Sequence, residues 1–147
     1  MTKYYLKPGW VYASADPVLI ETVLGSCVSV FLFDQRLKCG GANHIVYPQA
    51  PPAQPSTKYG DVAMKVLFQC LRELGSRHED LTARILGGAS IADNQTSLAA
   101  VTENLAMAER SLRRQGITVV HRETGGNRGR KVVFETASGR LSWQYLT

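Results

Sequence analysis

The chain has 147 residues, of which 44% are apolar and 20% charged, and a formal net charge of +5 at pH 7. This length suits one domain with a sizeable core, so we expect a single domain over residues 1–147. No stretch approaches the roughly 20 apolar residues of a membrane span, and the first residues lack the apolar segment of a signal peptide, so we expect a cytoplasmic protein without membrane insertion.

The first half of the chain is predicted to be mostly β-strands joined by turns. Runs of β-branched and aromatic residues between turn residues predict strands over residues 9–14, 18–23, 28–33 and 40–47. Four of the six prolines fall in residues 48–55. That segment is therefore expected to be a surface loop, because proline neither continues a strand nor fits the interior of a helix.

The second half is predicted to mix helices and strands. A helix should run from Asp61 to near Gly75, with an apolar face at helical spacing made of Ala63, Val66, Leu67, Cys70, Leu71 and Leu74. A short strand follows at residues 84–86. A second helix ends at Gly116, and its apolar face comprises Leu98, Val101, Leu105, Ala108 and Leu112. Strands are predicted over residues 117–122, 131–136 and 140–146. Because strands and helices do not alternate regularly, we expect an α/β fold of the α+β type, with mixed sheets and helices on their outer faces.

Cys27 is the candidate nucleophile. It follows Gly25 and Ser26 at the start of a predicted strand, where a side chain remains reachable, and Gly25 lets the backbone approach a ligand closely. The amides of this Gly-Ser-Cys segment are candidate oxyanion donors. Cys39 and Cys70 complete an odd set of three widely spaced cysteines, which argues against a disulfide framework and indicates a reducing compartment.

His44, seventeen residues after Cys27, is the candidate base. If Gln35 and Arg36 form a two-residue hairpin turn, Cys27 and His44 face each other directly across the two strands. A thiol beside an imidazole can form a reactive thiolate–imidazolium pair. The alternative, on spacing alone, is a buried structural cysteine next to a core histidine.

Metal, nucleotide and nucleic-acid chemistry are not indicated. The chain has no C-x-x-C or H-x-x-x-H spacing, and the glycine-rich segments 87–89 and 125–130 match neither a P-loop nor a dinucleotide-binding fingerprint. We therefore expect no metal and no cofactor. Residues 110–147 carry eight Lys/Arg and two Asp/Glu, which favours an acidic partner. Few aromatic residues interleave that stretch, so a nucleic-acid partner is not expected.

Five segments, in order along the chain, resemble the chemoreceptor glutamine deamidase family CheD. They are LGSCVSV at 24–30, GANH at 41–44, YGDVAM at 59–64, GGA at 87–89 and GGNRGRKV at 125–132. The resemblance implies two stacked mixed β-sheets flanked by helices, related to deamidating bacterial toxins. It also implies a cysteine hydrolase that converts receptor glutamines to glutamates without a cofactor.

The same resemblance implies a catalytic set of cysteine, histidine and threonine. Cys27 and His44 match the first two. The threonine lies just upstream of the Gly-Ser-Cys segment, where Thr22 is the predicted match and Glu21 the alternative. Asn43, next to His44, is a further candidate for substrate binding.

The implied partners are the cytoplasmic helices of methyl-accepting chemotaxis receptors and a CheC-type phosphatase. Hydrolysis of glutamyl methyl esters is a second implied activity, because the acyl chemistry is the same. The alternative is a non-catalytic binding module that docks such a phosphatase or receptor helices without turnover.

Overall fold

Nine β-strands and two α-helices make up the fold over the residues that the computed structural model describes, 1–91 and 95–147. The helices are α1 (Gly60–Glu73) and α2 (Gln95–Arg114), and a short 3₁₀ helix covers His78–Asp80. The strands are β1 (Thr2–Tyr5), β2 (Val11–Ser14), β3 (Val18–Leu24), β4 (Val28–Asp34), β5 (Cys39–Asn43), β6 (Leu81–Gly87), β7 (Thr118–Thr124), β8 (Arg130–Glu135) and β9 (Leu141–Tyr145).

The strands form two sheets, each mixing parallel and antiparallel pairs. The four-stranded sheet has the order β1-β3-β8-β9 and is parallel only between β1 and β3. The five-stranded sheet has the order β2-β5-β4-β6-β7 and is parallel only between β6 and β7. The predicted fold class, two mixed sheets with helices, is confirmed.

The core lies in two layers, one on each face of the five-stranded sheet. On one face, Val30 and Leu32 of β4 pack with Leu67 of α1 and Leu112 of α2. On the other face, β4 packs against the four-stranded sheet, where the rings of Phe31 and Phe134 lie 5.3 Å apart. Every residue of β4 is buried because both faces of this strand are covered, which explains why five of its seven residues are apolar on alternating faces. Each such buried side chain contributes roughly 1.5–3 kcal/mol.

Both helices cover the outer face of the five-stranded sheet, the face turned away from the four-stranded sheet, in agreement with the predicted placement of helices on outer faces. The apolar face of α1 is rotated from the predicted one, since Met64 and Phe68 are buried whereas Val66, Cys70 and Leu74 are only partly so. No helix in the described ranges is both long and apolar enough to cross a membrane.

Strand β1 was not predicted. Its sequence, Thr-Lys-Tyr-Tyr, has no apolar run, and the strand exists because it pairs in parallel with β3, from Thr2 with Val18 to Tyr5 with Glu21. The Tyr4 ring also stacks on Tyr12, with ring centroids 3.7 Å apart. These are tertiary contacts that a local sequence pattern does not reveal.

Candidate active site

His44 lies immediately after β5, with its side chain between the two sheets. It is only 2% exposed. Its backbone is held by the segment before β2, because its N–H donates to the Trp10 carbonyl at 3.2 Å and its carbonyl accepts from the Gly9 N–H at 2.9 Å. These bonds fix the direction in which the imidazole enters the space between the sheets.

Thr22 of β3 reaches His44 from the opposite sheet. Its hydroxyl lies 2.8 Å from Nδ1 of His44 and also donates to the Leu6 carbonyl at 2.8 Å. A hydroxyl has one proton, and a carbonyl can only accept, so that proton is committed to Leu6. We therefore assign the proton of the neutral ring to Nδ1, which donates to Thr22, because this tautomer satisfies all three groups. The neutral ring then has an unprotonated Nε2, the atom that a general base uses.

Glu21, the alternative to Thr22, occupies the other face of β3. Residues along a strand point alternately to its two faces, and β3 buries Ile20, Thr22 and Leu24 while Glu21 is only partly buried. Of the two candidates, Thr22 is the one that contacts His44.

Cys27 lies in the loop between β3 and β4 and is partly buried against the core between the sheets. Its carbonyl accepts a hydrogen bond from the Gly88 N–H at 2.9 Å, and the Gly25 carbonyl accepts from the Ala89 N–H at 3.1 Å. Gly87 has φ of 107°, and a Cβ there would overlap the Cys27 carbonyl oxygen. Only glycine at this position allows the two loops to approach so closely.

The β4–β5 hairpin does not have the predicted register. Asp34 pairs with Cys39 rather than Leu37, because four residues form the turn, with Asp34 accepting from the Leu37 N–H at 2.9 Å and Lys38 at φ 56°. The register is displaced by two residues, and the Val28–Ile45 bridge continues it.

In this register His44 lies opposite Ser29, so the prediction that it faces Cys27 directly was wrong. A displacement of two residues keeps every side chain on its own face of the sheet. Cys27 and His44 are therefore diagonal neighbours on the face toward the four-stranded sheet, where backbones lie roughly 7–8 Å apart. Among the described residues, no hydrogen bond joins the Cys27 thiol to the imidazole, so the structure brings the two onto one face without placing them in direct contact.

The amides of residues 25–27 remain available to a substrate. Among the described residues, Gly25 and Cys27 bond through their carbonyls, and no hydrogen bond there uses the N–H groups of Gly25, Ser26 or Cys27. Ser26 is exposed, and Ile91 approaches Gly25 so closely that a Cβ on Gly25 would lie 2.9 Å from Ile91 Cδ1. Backbone N–H groups beside a nucleophile are suited to bind a developing oxyanion.

Burial keeps both candidate catalytic groups neutral at rest. It raises the pKa of the Cys27 thiol and lowers the pKa of His44 to about 4, against a smaller opposing effect of hydrogen bonding to the Leu6 carbonyl. The resting pair is therefore a thiol and a neutral imidazole, not the thiolate–imidazolium pair that the sequence indicated. The proton has to move when a substrate is bound.

Asn43 faces the helices rather than His44. Its Oδ1 accepts from the Val30 N–H at 2.9 Å, and its Nδ2 donates to Met64 Sδ at 3.2 Å. The fully buried side chain thus replaces a backbone bond between β4 and β5. Cys39 is buried on the same face, as expected of a structural cysteine.

Sequence reasoning missed two groups at this site. One is the Leu6 carbonyl, which accepts the hydrogen bond from the Thr22 hydroxyl and so determines where that hydroxyl proton points. The other is Arg130, one of the eight Lys/Arg in residues 110–147 that favoured an acidic partner, which is only 1% exposed. The glycine-rich segment around Arg130 was the available signal, because glycines allow loop carbonyls to close around a buried guanidinium.

Comparisons with known proteins find a family model and relatives that match this chain. The family model described as CheD chemotactic sensory transduction matches residues 47–145. The match begins after Thr22, Cys27 and His44, whereas the alignments to whole relatives are longer.

Several relatives carry the name probable chemoreceptor glutamine deamidase CheD, and three of them show the extent of the similarity. The one from Rhodospirillum rubrum is 42% identical over 142 residues, covering 96% of this chain and 81% of that protein. The one from Sulfurimonas denitrificans is 33% identical, covering 98% and 94%. The one from Caulobacter vibrioides is 39% identical, covering 95% and 75%.

A distant likeness among solved structures is the Bacillus licheniformis hypothetical protein YfiH, with a TM-score of 0.48 and 14% identity, covering 74% of this chain and 49% of that chain. The relatives and the family model decide the classification. This chain belongs to the CheD family.

Proposed function

We propose that this chain is a cysteine hydrolase that deamidates glutamine side chains of chemotaxis receptors to glutamate. The observation that carries the chemistry is the hydrogen bond between Thr22 and Nδ1 of His44, which leaves Nε2 as a base on the face that Cys27 shares. The substrate class comes from the relatives, which are named as chemoreceptor glutamine deamidases. Residues 1–147 act in this proposal as one domain.

The mechanism begins when Nε2 of His44 takes the proton of the Cys27 thiol. The thiolate attacks the carboxamide carbon, and the N–H groups of residues 25–27 bind the oxyanion. His44 then returns the proton to the departing ammonia. Water, deprotonated by the same Nε2, cleaves the glutamyl thioester and restores the thiol. Thr22 keeps the imidazole in the required tautomer throughout.

The same intermediate accounts for hydrolysis of glutamyl methyl esters, in which methanol leaves in place of ammonia. Each deamidation adds one negative charge to a receptor helix. Like charges three or four residues apart destabilise a helix by a few tenths of a kcal/mol, so several sites bias a signalling equilibrium. A CheC-type phosphatase as partner and a cytoplasmic location remain part of this proposal.

Three exposed cations each lie over an aromatic ring, on segments that contact elements of the candidate site. We call them the rim cations: Lys7, 5.0 Å from the centre of the Trp10 ring, Lys58, 5.4 Å from Tyr59, and Arg128, 4.6 Å from Tyr145. Within the described parts of the chain, none forms a salt bridge. Cations beside exposed or partly exposed aromatic rings suit a helix that carries both carboxylates and apolar side chains.

The test is the mass of a purified receptor signalling domain after incubation with the protein. We expect an increase of about one dalton per deamidated glutamine, which Cys27→Ala abolishes and Cys70→Ala, the matched cysteine control, does not. Turnover by Cys27→Ala equal to the wild type would contradict the proposal. Binding of the receptor by the wild type without any mass change would favour the non-catalytic binding module.

A second comparison tests the third catalytic role. Thr22→Val removes the hydroxyl at nearly constant volume and should lower kcat more than tenfold, as expected for a lost orienting group. Thr22→Ser should retain most of the activity, and Glu21→Gln should resemble the wild type. A large loss in Glu21→Gln with Thr22→Val active would assign the role to the carboxylate.

Receptor docking is tested by replacing the rim cations with glutamate. We expect a raised KM on the receptor domain, a weaker dependence of KM on salt and an unchanged kcat, because these side chains take no part in bond breaking. The matched control replaces Arg113 and Arg114, at the far end of α2, with glutamate. An equal rise in KM in that control would mean that net charge, not this surface, determines binding.

A further inference from the structure

Arg130 is a buried cation beneath the loops that surround Cys27. It begins β8, where it pairs with Leu24, the residue just before the Gly25–Cys27 loop. Its Nη2 donates to the Gly125 carbonyl at 2.9 Å and lies 3.4 Å from Oε1 of Glu123. Its Nη1 donates to the Gly87 carbonyl at 3.5 Å. Its Nε has no partner among the described residues.

Such a placement is energetically costly. Glu123 is the only carboxylate paired with the guanidinium among the described residues, and that side chain is 25% exposed. Burying a charge with one donor unsatisfied costs several kcal/mol before compensation by its partners. An apolar residue would fill the same space at a lower cost in folding free energy. The buried charge therefore indicates a role beyond packing.

The Arg130 guanidinium holds two loops together through hydrogen bonds to their carbonyls. The Gly87 carbonyl accepts from Arg130 and also from the Gly125 N–H at 3.0 Å. The next residue, Gly88, donates its N–H to the Cys27 carbonyl at 2.9 Å. The guanidinium thus binds carbonyls of two glycine-rich loops. One of them, the Gly87 carbonyl, belongs to the same peptide group as the Gly88 N–H, which bonds to the Cys27 carbonyl.

We propose that Arg130 is the positioning residue of the nucleophile loop. By binding the carbonyls of Gly87 and Gly125, it fixes the peptide whose N–H holds the Cys27 carbonyl and so directs the N–H groups of residues 25–27 toward the substrate. The role requires a planar group with several donors in fixed directions, which lysine lacks although it keeps the charge. This inference rests on the proposed function for its catalytic consequence, but not for its structural one.

The experiment compares Arg130→Lys with the wild type by two readouts. The first is kcat and KM for deamidation of the receptor domain. We expect kcat to fall by about 10- to 100-fold, the effect of a displacement approaching 1 Å, with KM changed less than about twofold. The second is hydrogen exchange of the Gly88 amide by NMR, which should accelerate by at least about tenfold while the amide of Leu32 in β4 remains protected.

Arg77→Lys is the matched control, because Arg77 also bonds a carboxylate, Asp80 at 2.9 Å, but at the surface by the 3₁₀ helix. It should leave both readouts unchanged. If Arg130→Lys does not fold, Glu123→Gln weakens the hold on the same guanidinium and should shift both readouts in the same direction.

The outcomes separate the two proposals. Faster Gly88 exchange in a protein whose wild type deamidates nothing would support the positioning role and contradict the proposed function. An active wild type whose Arg130→Lys variant keeps its kcat and its Gly88 protection would overturn the inference. A reduced kcat with normal Gly88 exchange would also overturn it, since the effect would then not pass through this loop.

Discussion

The burial of His44 should make the stability of this protein depend on pH. Its folded-state pKa is about 4, below the ordinary value of 6.5, because the neutral ring is the form that fits between the sheets. In the unfolded chain the ring takes up a proton near pH 6.5. Between these two pH values the unfolded state binds more protons than the folded state. The contribution of His44 to the free energy of unfolding is therefore fully retained above pH 6.5 and decreases as the pH falls toward 4.

The magnitude follows from the two pKa values. The linkage relation gives a loss of about 2 kcal/mol between pH 7 and pH 5 and about 3 kcal/mol by pH 4. We expect urea unfolding to report this loss in the wild type. His44→Asn keeps an amide donor for the Thr22 hydroxyl but does not titrate, so its stability should decline less over the same range.

Other groups also titrate in this range, and the comparison between variants removes their contribution. His121→Asn, at an exposed position on β7, is the control and should follow the wild-type curve. Parallel curves for the wild type and His44→Asn would refute the reasoning, because they would mean that His44 is protonated as readily in the folded protein as in the unfolded chain.

Three further predictions concern the same site. In the pH profile of kcat/KM, the decrease on the acid side should have its midpoint near pH 4 rather than pH 6.5, because the proposed mechanism needs a neutral His44 in the free enzyme. A midpoint near pH 6.5 would contradict the assignment of the buried His44 as the base. Iodoacetamide should label Cys27 before Cys70, and His44→Asn should slow the reaction of Cys27 alone. Burial raises the pKa of both thiols, but the proposed base, His44, shares a face of the sheet with Cys27 only; equal rates in the wild type would contradict the proposed role. Gly87→Ala should abolish turnover and lower the free energy of unfolding by more than the roughly 1–2 kcal/mol that the left-handed conformation alone costs. Its control, Gly116→Ala at φ of 70° with nothing within 4 Å of the added Cβ, should show the strain cost with normal kcat.

Strands composed mostly of apolar residues were the most predictable part of the fold. Strand β4 was predicted over residues 28–33 and runs Val28–Asp34, because a strand covered on both faces is apolar at most of its positions. The strands predicted over residues 131–136 and 140–146 were also found, as β8 and β9. By contrast, β1 depends on pairing with β3, and its own four residues contain no signal for that contact.

The candidate site was predictable in its residue types but not in its geometry. A Gly-Ser-Cys segment before a strand, with a histidine in the next strand, indicated Cys27 and His44. The turn length was misjudged, although Asp34 at its start was a usable signal, since an aspartate there often accepts from a backbone N–H two or three residues later. The glycine-rich segment around Arg130 was the one local signal for its burial, because another of its acceptors, the Gly87 carbonyl, lies 43 residues away in sequence.

The order of synthesis has a consequence for when the site can exist. Cys27 and His44 flank β4 and β5, which are neighbours in sequence, but Thr22 lies on β3, whose antiparallel partner β8 follows about a hundred residues later. Until β8 and β9 have emerged, the sheet that presents Thr22 lacks two of its four members. Thr22, Cys27 and His44 are thus all synthesised long before the sheet that brings the Thr22 hydroxyl to the imidazole is complete, and the hydrogen bond between them becomes secure only when β8 pairs with β3.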